Sequence, residues 1–115
     1  AYISFETVLV TEGVIFQYYE PIFIASYTSR KIFIDGKEYC YRKLKDEVLH
    51  NSTGILQYNE FSIATKERAM IDTLYINNSY YFDNVESMNW DLIQEILPIY
   101  QDDFLRKKVE SIIQK

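Results

Sequence analysis

The sequence predicts an α+β fold: a small, mainly antiparallel sheet of about five strands, with one helix before it and three packed after it. Three observations carry this. Helix-start and helix-stop signals flank residues 5–12, and apolar residues recur at helical spacing beyond residue 65. Short runs rich in Ile, Phe and Tyr fill the stretch between. The pair Asp35-Gly36 joins two of those runs. Hairpins dominate and no strand–helix–strand alternation is visible, which argues against a parallel sheet wound by crossover helices. At 115 residues the chain has the length of one domain, 1–115.

Taken in order, Ser4 is expected to cap the first helix, with Ile3 and Val8 as a hydrophobic staple and Glu6 in the first turn, where the helix dipole favours a negative charge. Gly13 closes that helix, over about residues 5–12, in a left-handed conformation. Val14-Ile15-Phe16 reads as a strand or an entry segment, and Ile22-Phe23-Ile24-Ala25, beyond Pro21, as a buried strand. Runs 30–34 and 37–42 flank Asp35-Gly36, and a type I′ turn needs positive φ at both of its central residues. In that register Ile34 faces Lys37 and Ile32 faces Tyr39. Ile32, Ile34, Tyr39 and Tyr41 then share a face, which reads as the core face.

Residues 45–54 read as a loop or short helix that ends in a turn, and Ile55–Tyr58 and Phe61–Ile63 as two strands joined by Asn59-Glu60. Thr65 caps a helix over 66–76 whose single buried stripe is Met70, Ile71, Leu74 and Tyr75, with Arg68 and Asp72 pairing on its flank. Asn89 caps the next helix, whose stripe is Leu92, Ile93, Ile96, Leu97 and Tyr100; Pro98 kinks it or starts a new turn. Asp102 caps a last helix carrying Leu105, Val109, Ile112 and Ile113.

Composition excludes several classes. Hydrophobic residues are 48% and charged residues 25%, a globular balance rather than a disordered one. A chain of this size buries roughly two thirds of its unfolded surface, so it folds without a metal or disulfide staple. Cys40 and His50 are each the sole residue of their type. An intrachain disulfide and a zinc site of several Cys or His ligands are therefore ruled out, as is a Cys–His–Asp triad unless the two meet. No apolar run of about 18 residues exists, and the first residues lack the basic start of a secretory signal, so a reduced, cytoplasmic setting without membrane is expected.

The net charge of −5 conceals a pattern. Residues 1–29 hold Glu6, Glu12 and Glu20 and no base, and residues 69–105 hold seven acids and no base. Between them Arg30, Lys31, Lys37, Arg42, Lys43 and Lys45 outnumber Asp35 and Glu38, and the tail from Arg106 to Lys115 turns basic again. The basic hairpin is one candidate surface for nucleic acid or an acidic partner; a solvated edge that discourages aggregation is the plainer reading.

Other constellations are weaker. Asp35-Gly36-Lys37 with Glu20 upstream matches an acid-x-Lys nuclease pattern, in which carboxylates hold a divalent ion while the lysine positions water. That makes a divergent metal-dependent nuclease or nucleotide-handling enzyme the alternative reading, although turn chemistry alone accounts for Asp-Gly. Lys66-Glu67-Arg68 with Asp72 opens a helix, where backbone N–H groups attract anions; a capped helix with a lateral ion pair worth a few tenths of a kcal/mol explains the same residues. His50 reads as a surface residue and Cys40 as core filling. Tyr18-Tyr19 and Tyr80-Tyr81-Phe82 have stacking rings but no basic residue nearby, so they read as packing or a protein interface. No Gly-rich phosphate loop, G-x-S-x-G or H-E-x-x-H is present, and no cofactor or metal is expected.

The segment Phe61-Ser62-Ile63-Ala64-Thr65-Lys66-Glu67-Arg68-Ala69-Met70-Ile71-Asp72-Thr73-Leu74-Tyr75 resembles the I-A-T-x-E-[KR]-A-x-x-D-x-L-Y segment of the AbiEi-type (abortive infection) antitoxins of type IV toxin–antitoxin systems. Tyr2 to Leu9, followed by Gly13-Val14-Ile15, resembles the segment that opens their C-terminal domain. The matching positions are Ser4 and Glu6, then Thr65, Glu67, Arg68, Asp72 and Tyr75, most of them read as fold-specifying. Lys66 stands where many relatives have Pro, and Val8 where many have Ala. The resemblance covers nearly the whole chain. It implies a non-enzymatic antitoxin of a phage-defence system that opposes a nucleotidyltransferase-like toxin without necessarily forming a stable complex with it. In full-length relatives this domain is attached to a winged-helix transcriptional autoregulator. No such helix-turn-helix precedes Ala1, so the expectation is a domain fragment or a stand-alone version.

Overall fold

A computed structural model describes residues 1–113, so Lys115 of the basic tail lies outside the described residues. Six strands form among them: β1 (Tyr2–Ile3), β2 (Ile22–Ser26), β3 (Arg30–Ile34), β4 (Lys37–Lys43), β5 (Ile55–Gln57) and β6 (Ser62–Ala64). Five helices accompany them: α1 (Glu6–Thr11), α2 (Asp46–Leu49), α3 (Lys66–Ile76), α4 (Trp90–Ile96) and α5 (Asp103–Ile113), with a 3-10 turn at Leu97–Tyr100. The class is α+β as expected, with six strands instead of about five. They build one sheet in the order β3-β4-β2-β1-β6-β5. Pairs β1–β2, β3–β4 and β5–β6 are antiparallel, while β1–β6 and β2–β4 run parallel. No described helix is long and apolar enough to cross a membrane.

The Asp35-Gly36 turn forms with φ of 51° and 78°, the positive values a type I′ hairpin demands. It returns β4 between β2 and β3, with Ile34 opposite Lys37 and Ile32 opposite Tyr39. The register is the expected one, but the buried face is not. The core side of these strands carries Phe23, Ala25 and Cys40, whereas Ile32, Tyr39 and Tyr41 are half-exposed and Ile34 is exposed. Alternation alone identifies two faces; which one is covered depends on where the helices settle.

Ser4 does not cap α1. Its amide donates to Phe23 O at 3.0 Å, extending the β1–β2 pairing, and the helix starts after Phe5, whose φ is 58°. Two-residue β1 is too short to show an alternating pattern, so its neighbours read as a helix entry. Gly13 closes α1 with φ 74°. Val14 and Ile15 are buried in a connection, not a strand, with Val14 N donating back to Leu9 O at 2.9 Å.

The starts of α3, α4 and α5 are those expected, and the stretch 45–54 holds the short helix α2. Thr65 Oγ1 accepts from Arg68 N at 3.3 Å, Asn89 Oδ1 from Leu92 N at 3.2 Å, and Asp102 Oδ1 from Leu105 N at 3.0 Å. Pro98 lies in the 3-10 turn that follows α4. However, α3 is not a one-stripe amphipathic helix: it is buried continuously from Glu67 to Leu74. It is the central helix, contacting β6, α1, α4 and α5. Its polar residues must therefore find partners inside the protein.

Candidate functional site

Two charged residues of the motif helix, Arg68 and Asp72, meet beneath α3. Arg68 is fully buried, and its guanidinium is spent on backbone carbonyls: Nη1 donates to Asn51 O (3.0 Å) and Thr53 O (2.6 Å), Nη2 to Val48 O (2.6 Å). Those carbonyls belong to the end of α2 and the turn after it, so one side chain ties that polar stretch to the core. Its Nε lies 3.6 Å from Asp72 Oδ1 in an ion pair, and is buried without a hydrogen bond.

Asp72 is equally enclosed. Oδ2 accepts from the Tyr2 and Ser4 hydroxyls, both at 2.8 Å, and Oδ1 accepts from the Tyr100 hydroxyl. Burial pushes the Asp72 carboxyl up, opposed by Arg68 and by the three hydroxyls. Burial and the neighbouring Asp72 push Tyr2 and Tyr100 well above their ordinary 10.0, which keeps both hydroxyls protonated as donors. The guanidinium also stands 5.2 Å from the Tyr2 ring centre and 5.9 Å from that of Tyr100, and Tyr75 meets Tyr100 edge-on at 5.3 Å. The Arg68–Asp72 pair is thus a core network, not the expected lateral pair on a solvated flank. Because each charge is buried and held by three hydrogen bonds, loss of either partner leaves the other uncompensated in the core.

The other motif residues also close the fold. Glu67 Oε2 accepts from Asn89 N at 2.9 Å and holds the start of α4. Glu6 Oε1 accepts from Arg42 Nη1 at 2.7 Å, and the Arg42 guanidinium lies over the Phe23 ring at 4.1 Å. Gly54 is required by shape: its φ is +79°, and an added Cβ would stand 2.8 Å from Ile96 Cδ1 and 3.2 Å from Arg68 Cβ.

The six basic residues of the hairpin region do not form one surface. Arg42 is held by Glu6 on the core side, and Lys45 Nζ donates to Tyr100 O at 2.8 Å. Lys31 reaches Glu38 at 3.9 Å, and Glu38 also accepts from the Cys40 thiol at 3.1 Å. Arg30, Lys37 and Lys43 form no ion pair among the described residues, and they share the other side of the sheet. The nuclease constellation gains no support from the geometry: Asp35 serves the turn, Glu20 is exposed ahead of β2, and no group of three or more His, Cys, Asp or Glu converges among the described residues. Cys40 is buried and its thiol is pushed up by that burial and by Glu38; His50 is exposed.

Sequence reasoning missed Tyr2 and Tyr100 as partners of Asp72, and Ser4 in that role. No spacing rule reveals hydrogen bonds that span 28 to 70 residues. No family model, curated protein or solved structure matches the chain.

Proposed function

We propose that the chain is an antitoxin-like domain of a type IV, abortive-infection toxin–antitoxin system, acting in the cytoplasm by interaction and not by catalysis. Its counterpart is a nucleotidyltransferase-like toxin, and in longer relatives the domain accompanies a DNA-binding autoregulator. The observation that supports this reading is the meeting of the two sequence segments that carry the resemblance. Ser4 of the first donates to Asp72 of the second at 2.8 Å, and residues 61–75 form a strand and a capped central helix. The distinctive polar residues of those segments are consumed in packing the domain, which leaves interaction surfaces to carry function.

The test is growth rescue. Co-expressed with a nucleotidyltransferase-like toxin encoded next to it, the folded chain should restore growth, and unfolding it through Asp72→Ala should abolish the rescue. A soluble, folded chain that leaves the toxin fully active would sink the proposal.

A further inference from the structure

The side of the sheet turned away from the core forms a regular grid over β3, β4 and β2. One cross-strand row is Ile34 and Lys37. The next is Ile32, Tyr39 and Ile22, then Arg30, Tyr41 and Ile24, and finally Lys43 beside Ser26. Ile22, Ile24, Ile32, Tyr39 and Tyr41 are half-exposed and none packs against the core cluster. Among them stand three cations, Arg30, Lys37 and Lys43, without a carboxylate partner among the described residues, in a chain whose net charge is −5. The acids of this region lie elsewhere: Glu38 on the opposite face, Asp35 in the turn, and Glu20 ahead of β2. Arg30 lies over the Tyr41 ring with its guanidinium carbon 4.9 Å from the centroid, and is itself exposed.

We propose that this face binds single-stranded nucleic acid. Tyr39 and Tyr41 sit two residues apart on one strand, about 7 Å, which leaves room for one base on Tyr39 and a second at the Arg30–Tyr41 pair. The exposed Arg30 guanidinium, 4.9 Å from the Tyr41 ring centre, adds a planar cation on which a base can stack, as arginine does in single-strand recognition. Arg30, Lys37 and Lys43 border the rings and neutralise phosphates. The charge selects a polyanion. The rings select one with unpaired bases, since a duplex keeps its bases stacked away from a flat sheet. This rests on the interaction-domain reading but not on antitoxin activity, and binding in vitro is measured separately from toxin rescue.

The experiment is fluorescence anisotropy with the 115-residue chain and labelled poly-T and poly-U oligomers, against a duplex of matched length, over a range of salt. Single strands should bind more tightly than the duplex, with a log–log salt slope of about −2 for three phosphates. Tyr39→Leu with Tyr41→Leu should weaken binding at least about tenfold and leave the slope unchanged, while Phe at both positions should retain affinity. Arg30→Gln, Lys37→Gln and Lys43→Gln together should flatten the slope. Lys31→Gln with Phe33→Leu, on the opposite face, should change nothing. The proposal falls if the wild-type chain binds no single strand, if the duplex binds as tightly, or if the Leu pair, folded by circular dichroism, binds like wild type. It falls equally if polyglutamate competes as well as the oligomer, which would assign the face to an acidic protein.

Discussion

Beneath α3, Arg68 gives its guanidinium hydrogens to three backbone carbonyls and its charge to Asp72, with no exposure to solvent. On the open side of β3 and β4, Arg30 lies over a tyrosine ring and meets no carboxylate among the described residues. The two arginines carry the same charge and are governed by different costs. The buried one is held by desolvation: having left water, it must keep every partner it has. The exposed one remains solvated and available, so it contributes little to stability and can be spent on a ligand. The difference assigns the first region to folding and leaves the second free for the recognition proposed above, although both read as basic residues beside acids in the sequence.

The largest effect expected from this contrast is the loss of either partner of the buried pair. Arg68→Ala or Asp72→Ala should cost about 3–5 kcal/mol in urea unfolding, whereas Arg30→Gln should change stability by no more than about 0.5 kcal/mol. Comparable costs at the two sites would erase the distinction. Gly54→Ala comes next. It forces a side chain into a left-handed backbone and against Ile96, and should cost about 1–3 kcal/mol, read as a lower thermal midpoint.

The pH dependence sharpens the same comparison. Tyr2 and Tyr100 titrate above 10.0 in the folded chain, so above that value the unfolded chain has released protons that the folded chain still binds. Stability is therefore fully present below pH 10 and falls as pH rises through and beyond it, by up to about 1.4 kcal/mol per pH unit for each tyrosine. Tyr100→Phe should reduce that alkaline slope, because it removes one of the two tyrosines whose hydroxyls donate to Asp72. The smallest effect is Thr65→Ala, which removes the α3 cap and should cost about 1 kcal/mol; a change within error would mean that burial alone holds the helix start.

Much of the local structure was legible. The Asp35-Gly36 turn, the caps at Thr65, Asn89 and Asp102, and the Gly13 closure all appear where their residues predict. Each is a contest between a few neighbouring atoms, decided within four residues. The candidate site was less legible. Of the basic residues, Arg42 and Lys45 are spent inside the fold, and only packing could show that Arg30, Lys37 and Lys43 stay free on one side. Strand β1 escaped notice because two residues have no period, and with it went the true role of Ser4.

By itself, then, the sequence determined the class of fold, the register of the basic hairpin and the start of each late helix, because side chains and backbone settle those at short range. Only the tertiary structure decided which face of the hairpin is covered, that β2 and β4 run parallel, and that Arg68 and Asp72 belong to the core. Those outcomes depend on where the helices come to rest, and burial, unlike a turn or a cap, is a property of the whole chain at once.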